Sequence, residues 1–285
     1  MKNYKHKTVE TSEFLKKHIK NLPQIGIITG TGLGKSSKSL EISVSFEYED
    51  IPHFPTSTVE SHYGRLLFGE IRGKQIMAMQ GRFHLYEGYS PLEVTFPIRV
   101  MQALGVKTLV LSNAAGGLNP GFNIGDIMII SDHINLTGSN PLIGPNEEDW
   151  GIRFPDMNAA YDKGLMDLAK KAGKDEGLPL QKGVFVGLKG PSLETPAEVR
   201  FLRSIGADAV AFSIIQEVIA AIHAGIKVLG LSTITNVHDP DRPVPATVEE
   251  IVAVAEKTAP KLEAIINNVI EKIDPDIPGL SRENP

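Results

Sequence analysis

The chain contains no cysteine. Disulfides, thiolate metal sites and cysteine nucleophiles are excluded together. It has no run of about 18 uninterrupted apolar residues, so no membrane-spanning helix is expected. The basic start, Met1 to Lys5, lacks the apolar stretch of a signal peptide. Positive excess is missing as well. Lys and Arg number 29 against 34 Asp and Glu, a net charge of −5, whereas a grip on a nucleic-acid backbone calls for a basic surface. There is no G-x-S-x-G elbow, no H-E-x-x-H and no close His/Asp/Glu cluster, and the eight histidines are scattered. These absences lead to the expectation of a soluble, cytoplasmic protein with neither a nucleic-acid nor a membrane partner.

What is present can bury a core: 285 residues, 41% hydrophobic and 22% charged. No repeat, low-complexity tract or linker divides the chain, so one domain is expected over 1–285, with 275–285 a loose tail. A polar amphipathic helix is expected over 9–20. Gln24–Thr29 reads as a strand running into Gly30-Thr31-Gly32-Leu33-Gly34. Ile42–Tyr48 alternates like a half-buried strand, and Arg65–Ile71 with Gln75–Met79 reads as a hairpin. Three capping boxes begin at Ser90, Thr195 and Thr247, the first two with proline at the first helical position. Pro97 is expected to kink the helix after Ser90. Buried-strand runs lie at Thr108–Ser112, Asp126–Ile130, Gly183–Leu188, Ala207–Phe212 and Lys227–Thr233, and a buried helix at Glu217–Gly225. Strands without alternation, interleaved with helices, indicate an α/β fold: a mixed or mostly parallel sheet covered on both faces.

Ligands of such sheets bind beyond the strands' carboxyl ends. Five polar clusters occupy those places: Gly30–Gly34, Gln80–Glu87, Asn113–Gly117, Gly190–Glu194 and Thr235–Asn236. Gly30–Gly34 can cradle a phosphate or simply turn the chain. With Lys35 and Ser36 it approaches a nucleotide-binding P-loop, but Thr29 stands where that loop opens on glycine. Arg82 has the fork that holds a phosphate, and His84 and Tyr86 share a face if the strand continues. Taken alone, the remaining clusters are equally compatible with ordinary strand exits, with a carboxylate at a helix start for Glu194, and with packing for His223. Trp150 and Phe154 lie in a loop as packing or interface aromatics.

Together, and in order, the clusters carry a resemblance. GTGLG (30–34), FPTSTVESHYGRL (54–66), MQGRFHLYEGY (79–89), VTFPIRV (94–100), SNAAGGLNPGFNIGDIMIISDHIN (112–135), GIRFPDMNAAYD (151–162), GPSLETPAEVR (190–200), GADAV (206–210) and ITN (234–236) make the chain similar to the trimeric-type purine nucleoside phosphorylases from about 22 to 270. The resemblance implies a mixed, twisted central β-sheet flanked by α-helices. It implies phosphorolysis of purine nucleosides and 2′-deoxynucleosides to base and pentose 1-phosphate, with inorganic phosphate as co-substrate and no cofactor or metal. It also implies a homotrimer with sites near subunit interfaces. Carried onto this sequence, it assigns phosphate to Thr31, His62, Arg82, Ala114 and Ser213, and the pentose to His84, Tyr86 and Phe212. The base falls to Ala114, Gly116, Glu194, Val210 and Asn236, with Phe154 reaching a neighbouring subunit. His84, Glu194 and Asn236 are the catalytic expectations, and the amide of Asn236 suits a 6-oxopurine.

The chain departs from the family pattern at Leu193, Phe212, Ile214 and Val248. Val248 replaces a histidine that commonly meets the 5′-hydroxyl, a role His238 is placed to take over. A 5′-methylthio-nucleoside phosphorylase is therefore the nearest rival. A catalytically silent nucleoside- or phosphate-binding protein and an NTPase are alternatives from other classes.

Overall fold

The structure is a computed structural model that describes residues 2–30, 39–58 and 63–274. Thr31 and His62, most of the 30–34 glycine loop with Lys35 and Ser36, and the 275–285 tail lie outside the described residues.

The apolar run Ile25–Thr29 forms β1, buried between two neighbours. Glu41–Glu47 (β2), Arg65–Ile71 (β3) and Lys74–Gln80 (β4) form an antiparallel meander. Its tight turn at Arg72-Gly73 has both residues at positive φ, a conformation that suits glycine. Beyond β1 lie Thr108–Gly117 (β5), Ile127–Asn135 (β6), Gln181–Gly187 (β7), Ala209–Ala211 (β8) and Lys227–Val237 (β9). The nine strands run β2-β3-β4-β1-β5-β8-β7-β6-β9, and β5 also pairs with β9. That last pairing closes five strands into a ring. Parallel pairs dominate around β5, whose register with β9 covers residues 108–117.

Two layers of helix cover the sheet. Lys163–Asp175 (α4) and Val248–Lys272 (α7) bury Leu165, Ala169, Leu262, Ile265 and Val269 against one face. Lys2–Lys16 (α1), Pro91–Val94 (α2), Phe96–Leu104 (α3) and Ile215–His223 (α6) lie over the other, around Phe83, Phe96, Met101 and Val218. Pro196–Ser204 (α5) completes the set. The three expected boxes all cap: Ser90, Thr195 and Thr247 each accept from the backbone N–H three residues on.

Several expectations are corrected. The first helix spans Lys2–Lys16 rather than 9–20. Its first turn is fixed by distant contacts: Tyr4 Oη donates to Leu92 O, and Lys5 pairs with Glu147 and Asp149. Pro97 does not kink a continuous helix. The chain breaks at Thr95 (φ −97°, ψ 3°) and restarts, with Pro97 in the new first turn, where its missing N–H is harmless. β5 runs on through Asn113–Gly117 instead of leaving as a turn, because β8 and β9 both pair with that stretch. β8 is only Ala209–Ala211. Trp150 is buried against Tyr4 and under the Arg99 guanidinium, whereas Phe154 stands 80% exposed.

Candidate active site

Strand ends bring the clusters to one place. A cavity of about 520 Å³ is lined by Arg82, His84 and Tyr86 from the segment after β4, and by Asn113–Gly116 of β5. Glu194, Val210, Phe212, Ser213 and Asn236 line it too. Every described residue expected to bind phosphate, pentose or base within one chain is there; Phe154, expected at a neighbouring subunit's site, lies in the 150–155 loop with its ring against Arg153.

Arg82 sits deep, 2% exposed. Gly81 turns the chain at φ 109°, and the guanidinium passes under the end of β1 and the middle of β5, donating from Nη2 to Ile28 O and Ser112 O. Nη1 lies 3.6 Å from the carboxylate of Glu217 on α6, itself 3% exposed. Burial pulls the arginine's pKa down and Glu217 opposes that pull. Glu217 was not anticipated; an acidic residue inside an apolar helical run was the only signal, since acids there are rarely buried unpaired.

His84 is held twice by Glu87: the backbone N–H and Nδ1 each donate to Oε1 at 2.8 Å. A carboxylate only accepts, so the proton on that side belongs to Nδ1. Glu87 also accepts from Thr58 N–H and Oγ1. Burial pushes the Glu87 carboxyl up, but the hydrogen bonds from His84 and Thr58 prevail and hold it at about 2. The strand does not continue to Tyr86; a single 3-10 turn spans Leu85–Glu87. His84 and Tyr86 come together through that turn, their rings stacked at 4.5 Å and 18°, with Phe212 edge-on to Tyr86 at 6.1 Å.

Ser213 is presented by an unusual corner. Ile214 has φ 74° and ψ −47°, and Ile215 N donates to Ser213 O. This is a γ-turn, strained for a β-branched residue and held by an Ile214 side chain with no exposed surface. Asn113 Nδ2 donates to Ser213 Oγ, and Ser232 Oγ donates to Asn113 Oδ1, so the amide's orientation is set from both sides.

At the opposite end, β9 carries one extra residue relative to β5. Ala115 faces Ile234, but Gly116 faces Asn236. The bulge at Thr235 changes which face the following side chains take and delivers Asn236 to the cavity. Glu194, whose side chain is 2% exposed, lies beside it, with His238 between the two. Burial raises the Glu194 carboxyl and lowers the His238 imidazole. His238 thus meets the residues assigned to the base. Val248 lines the cavity with Ile251 and Val252.

Among the described residues no cluster of three or more His, Asp or Glu is placed to hold a metal ion, and no helix is long and apolar enough to cross a membrane.

Fold and site together define an α/β protein with a deep small-molecule pocket at the carboxyl ends of parallel strands. Residues 24–271 match the Phosphorylase superfamily. The chain is 50% identical over 270 residues to purine nucleoside phosphorylase 1 of Bacillus subtilis, covering 95% of this chain and all of that protein. It is 48% identical to the purine nucleoside phosphorylase of Rattus norvegicus, covering 93% and 94%. A purine nucleoside phosphorylase of Schistosoma mansoni, solved with inosine, superposes with a TM-score of 0.90 at 40% identity, covering 94% of this chain and 97% of that one. The chain belongs to the phosphorylase superfamily, in its purine nucleoside phosphorylase branch.

Proposed function

We propose that the protein catalyses phosphorolysis of purine nucleosides, with inosine, guanosine and their 2′-deoxy forms as substrates, and that the cavity residues divide the work as follows. A phosphate oxygen attacks the pentose C1′ as the C1′–N9 bond breaks. The bonding pair leaves with the purine, and the proton that hydrogen phosphate loses on forming the ester passes through solvent to N7. Positive charge develops on the sugar and negative charge on the base. Phosphate is held by Arg82, the Ser213 hydroxyl and the Ala114 N–H, with Thr31 and His62 as further expected contacts. His84, Tyr86 and Phe212 hold the pentose. Asn236 accepts from N7–H and donates to the 6-oxo group, while an ionised Glu194 accepts from N1–H. Preset donors and acceptors of this kind are typically worth about 3–4 kcal/mol of barrier each.

The observation that carries this reading is the convergence of Arg82, Ser213, His84, Glu194 and Asn236 on one cavity. Inorganic phosphate serves as co-substrate, and no organic cofactor or metal is part of the scheme. A homotrimer accounts for the exposed ring of Phe154, which would complete a neighbour's site. The test is hypoxanthine release from inosine with and without phosphate. Release only with phosphate is expected, and release without it indicates a hydrolase.

The apolar wall of Val248, Ile251 and Val252 favours a second reading, in which a 5′-alkylthio group replaces the hydroxyl. Comparing kcat/KM for inosine and 5′-methylthioinosine decides between them. A strong preference for inosine removes the second reading.

A further inference from the structure

Purine nucleosides differ most at position 6, and the base end of the cavity holds polar side chains that the scheme above does not use, His238 and Thr235. His238 Nε2 lies 3.3 Å from Asn236 Nδ2 and 3.5 Å from Glu194 Oε2. One imidazole nitrogen therefore touches both side chains assigned to the base. Gly116 keeps the approach open: a Cβ there would sit 2.5 Å from Nε2, and the ring would have to shift. The ring also stands on a wall. A second cavity of about 330 Å³, lined by Pro240, Pro243, Val244 and Pro245, shares Leu193, Glu194, His238 and Ala246 with the first. An imidazole with open space on both sides can yield to an entering base edge.

The two base classes present opposite patterns. A 6-oxopurine offers an acceptor at O6 and a donor at N1, which Asn236 and an ionised Glu194 satisfy. A 6-aminopurine offers a donor at N6 and an acceptor at N1. Asn236 cannot meet N6 without turning its amide away from N7–H. A neutral imidazole has one donor and one acceptor nitrogen and exchanges them by tautomerisation. The Asn236 amide nitrogen already presents to Nε2 the kind of donor that an exocyclic amino group would.

Resting on the phosphorolysis reading, we propose that His238 is a specificity-determining residue that extends the pocket to 6-aminopurine nucleosides, adenosine and its 2′-deoxy form, alongside the 6-oxopurines. Nε2 accepts from the 6-amino group while Asn236 keeps its oxygen toward N7–H. In the other tautomer Nε2–H donates to a 6-oxo group. Two further features agree. Burial and the Arg203 charge favour the neutral imidazole. Burial raises the Glu194 carboxyl, so the proton it needs in order to donate to N1 of adenine is gained more readily than by an exposed carboxyl.

The experiment measures phosphate-dependent release of adenine and hypoxanthine by the wild type, His238→Val and His238→Gln, with melting temperatures checking the fold of each. The wild type is expected to cleave adenosine with kcat/KM within about a hundredfold of inosine, whereas a pocket built against the 6-amino group rejects it by about 10⁴. His238→Val is expected to lose about tenfold more on adenosine than on inosine, the effect of one buried neutral hydrogen bond. His238→Gln, which keeps an acceptor, recovers part of that loss. Inosine cleavage without detectable adenosine cleavage overturns this inference and leaves phosphorolysis standing, and so do equal losses on both nucleosides in His238→Val. If neither nucleoside reacts in the presence of phosphate, the underlying reading falls and the inference with it.

Discussion

Glu217→Gln tests how the phosphate end is built. Arg82 and Glu217 are 2% and 3% exposed, with Nη1 and Oε1 3.6 Å apart. At an effective dielectric constant of about 20, their attraction is roughly 4–5 kcal/mol. Removing one member of such a pair typically costs about 3–5 kcal/mol, because the remaining charge stays buried. Glutamine keeps the shape, and the Nη2 bonds to Ile28 O and Ser112 O persist, so the low end applies. A loss of about 3 kcal/mol lowers Tm by roughly 5 °C in a chain of this length. The same change leaves the site one unit more positive. Phosphate should therefore bind the variant more tightly, and millimolar phosphate should narrow the gap in Tm. Arg82→Met should lose comparable stability without rescue by phosphate. The double variant should recover most of it, a coupling of about 2–3 kcal/mol. Thermal unfolding with and without phosphate, together with the KM for phosphate, reads all of this. A Glu217→Gln protein melting within about 1 °C of wild type, with an unchanged phosphate KM, would refute the charge-balance argument.

Asn236→Asp replaces an amide donor with a second acceptor, so the inosine/adenosine ratio of kcat/KM should fall by about tenfold or more; an unchanged ratio removes Asn236 from base reading. Phe154→Ala should lower kcat/KM for nucleosides while moving stability by less than about 0.5 kcal/mol, because the ring is exposed; unchanged kinetics dismiss a role in a neighbour's site. His223, buried beside Arg99, is held down to about 4 by desolvation and by that charge. Its folded pKa lies below the unfolded value, so the unfolded chain binds the proton first and stability is lost as pH falls from about 6.5 toward 4. By pH 5 the loss is about 2 kcal/mol, and chemical denaturation of His223→Gln should show that slope flattened.

Local chemistry made much of the fold legible. The boxes at Ser90, Thr195 and Thr247 need only the four residues that form them, and the hairpin needs only its turn and the apolar run on either side. The early start of α1 was hidden because Tyr4 and Lys5 are held by Leu92, Glu147 and Asp149, far away in sequence. β5 extends past its apolar run for a similar reason. Asn113–Gly117 has the composition of a turn, and only its partners β8 and β9 keep it extended. Asn236 could be placed at a strand end, but its face depends on the bulge at Thr235, which exists only relative to β5. Glu217 is not legible because it acts through Arg82, which the linear sequence does not place beside it, and the sequence points His238 to the 5′ end because nothing in it places that residue beside Glu194.

The cavity's ionisable groups come in pairs, and the pairing bears on selectivity. Arg82 faces Glu217, His84 faces Glu87, and Glu194 faces His238, at 3.6, 2.8 and 3.5 Å. Where both partners are charged, as in Arg82 and Glu217, a buried group whose charge is already answered contributes little net field to an incoming ligand. What remains to discriminate ligands is direction: the orientation of Asn113 between Ser213 and Ser232, the Nδ1 proton of His84 fixed by Glu87, the face given to Asn236 by the Thr235 bulge. Two of those three directions are locked by hydrogen bonds within the protein. The third is different. Asn236 Oδ1 accepts from Thr235 Oγ1 at 3.2 Å, but its Nδ2 meets a partly buried imidazole that has space behind it, so the Asn113 amide and the His84 ring are held more tightly than the base end. Variation in what this enzyme accepts should therefore appear at the purine ring rather than at the phosphate.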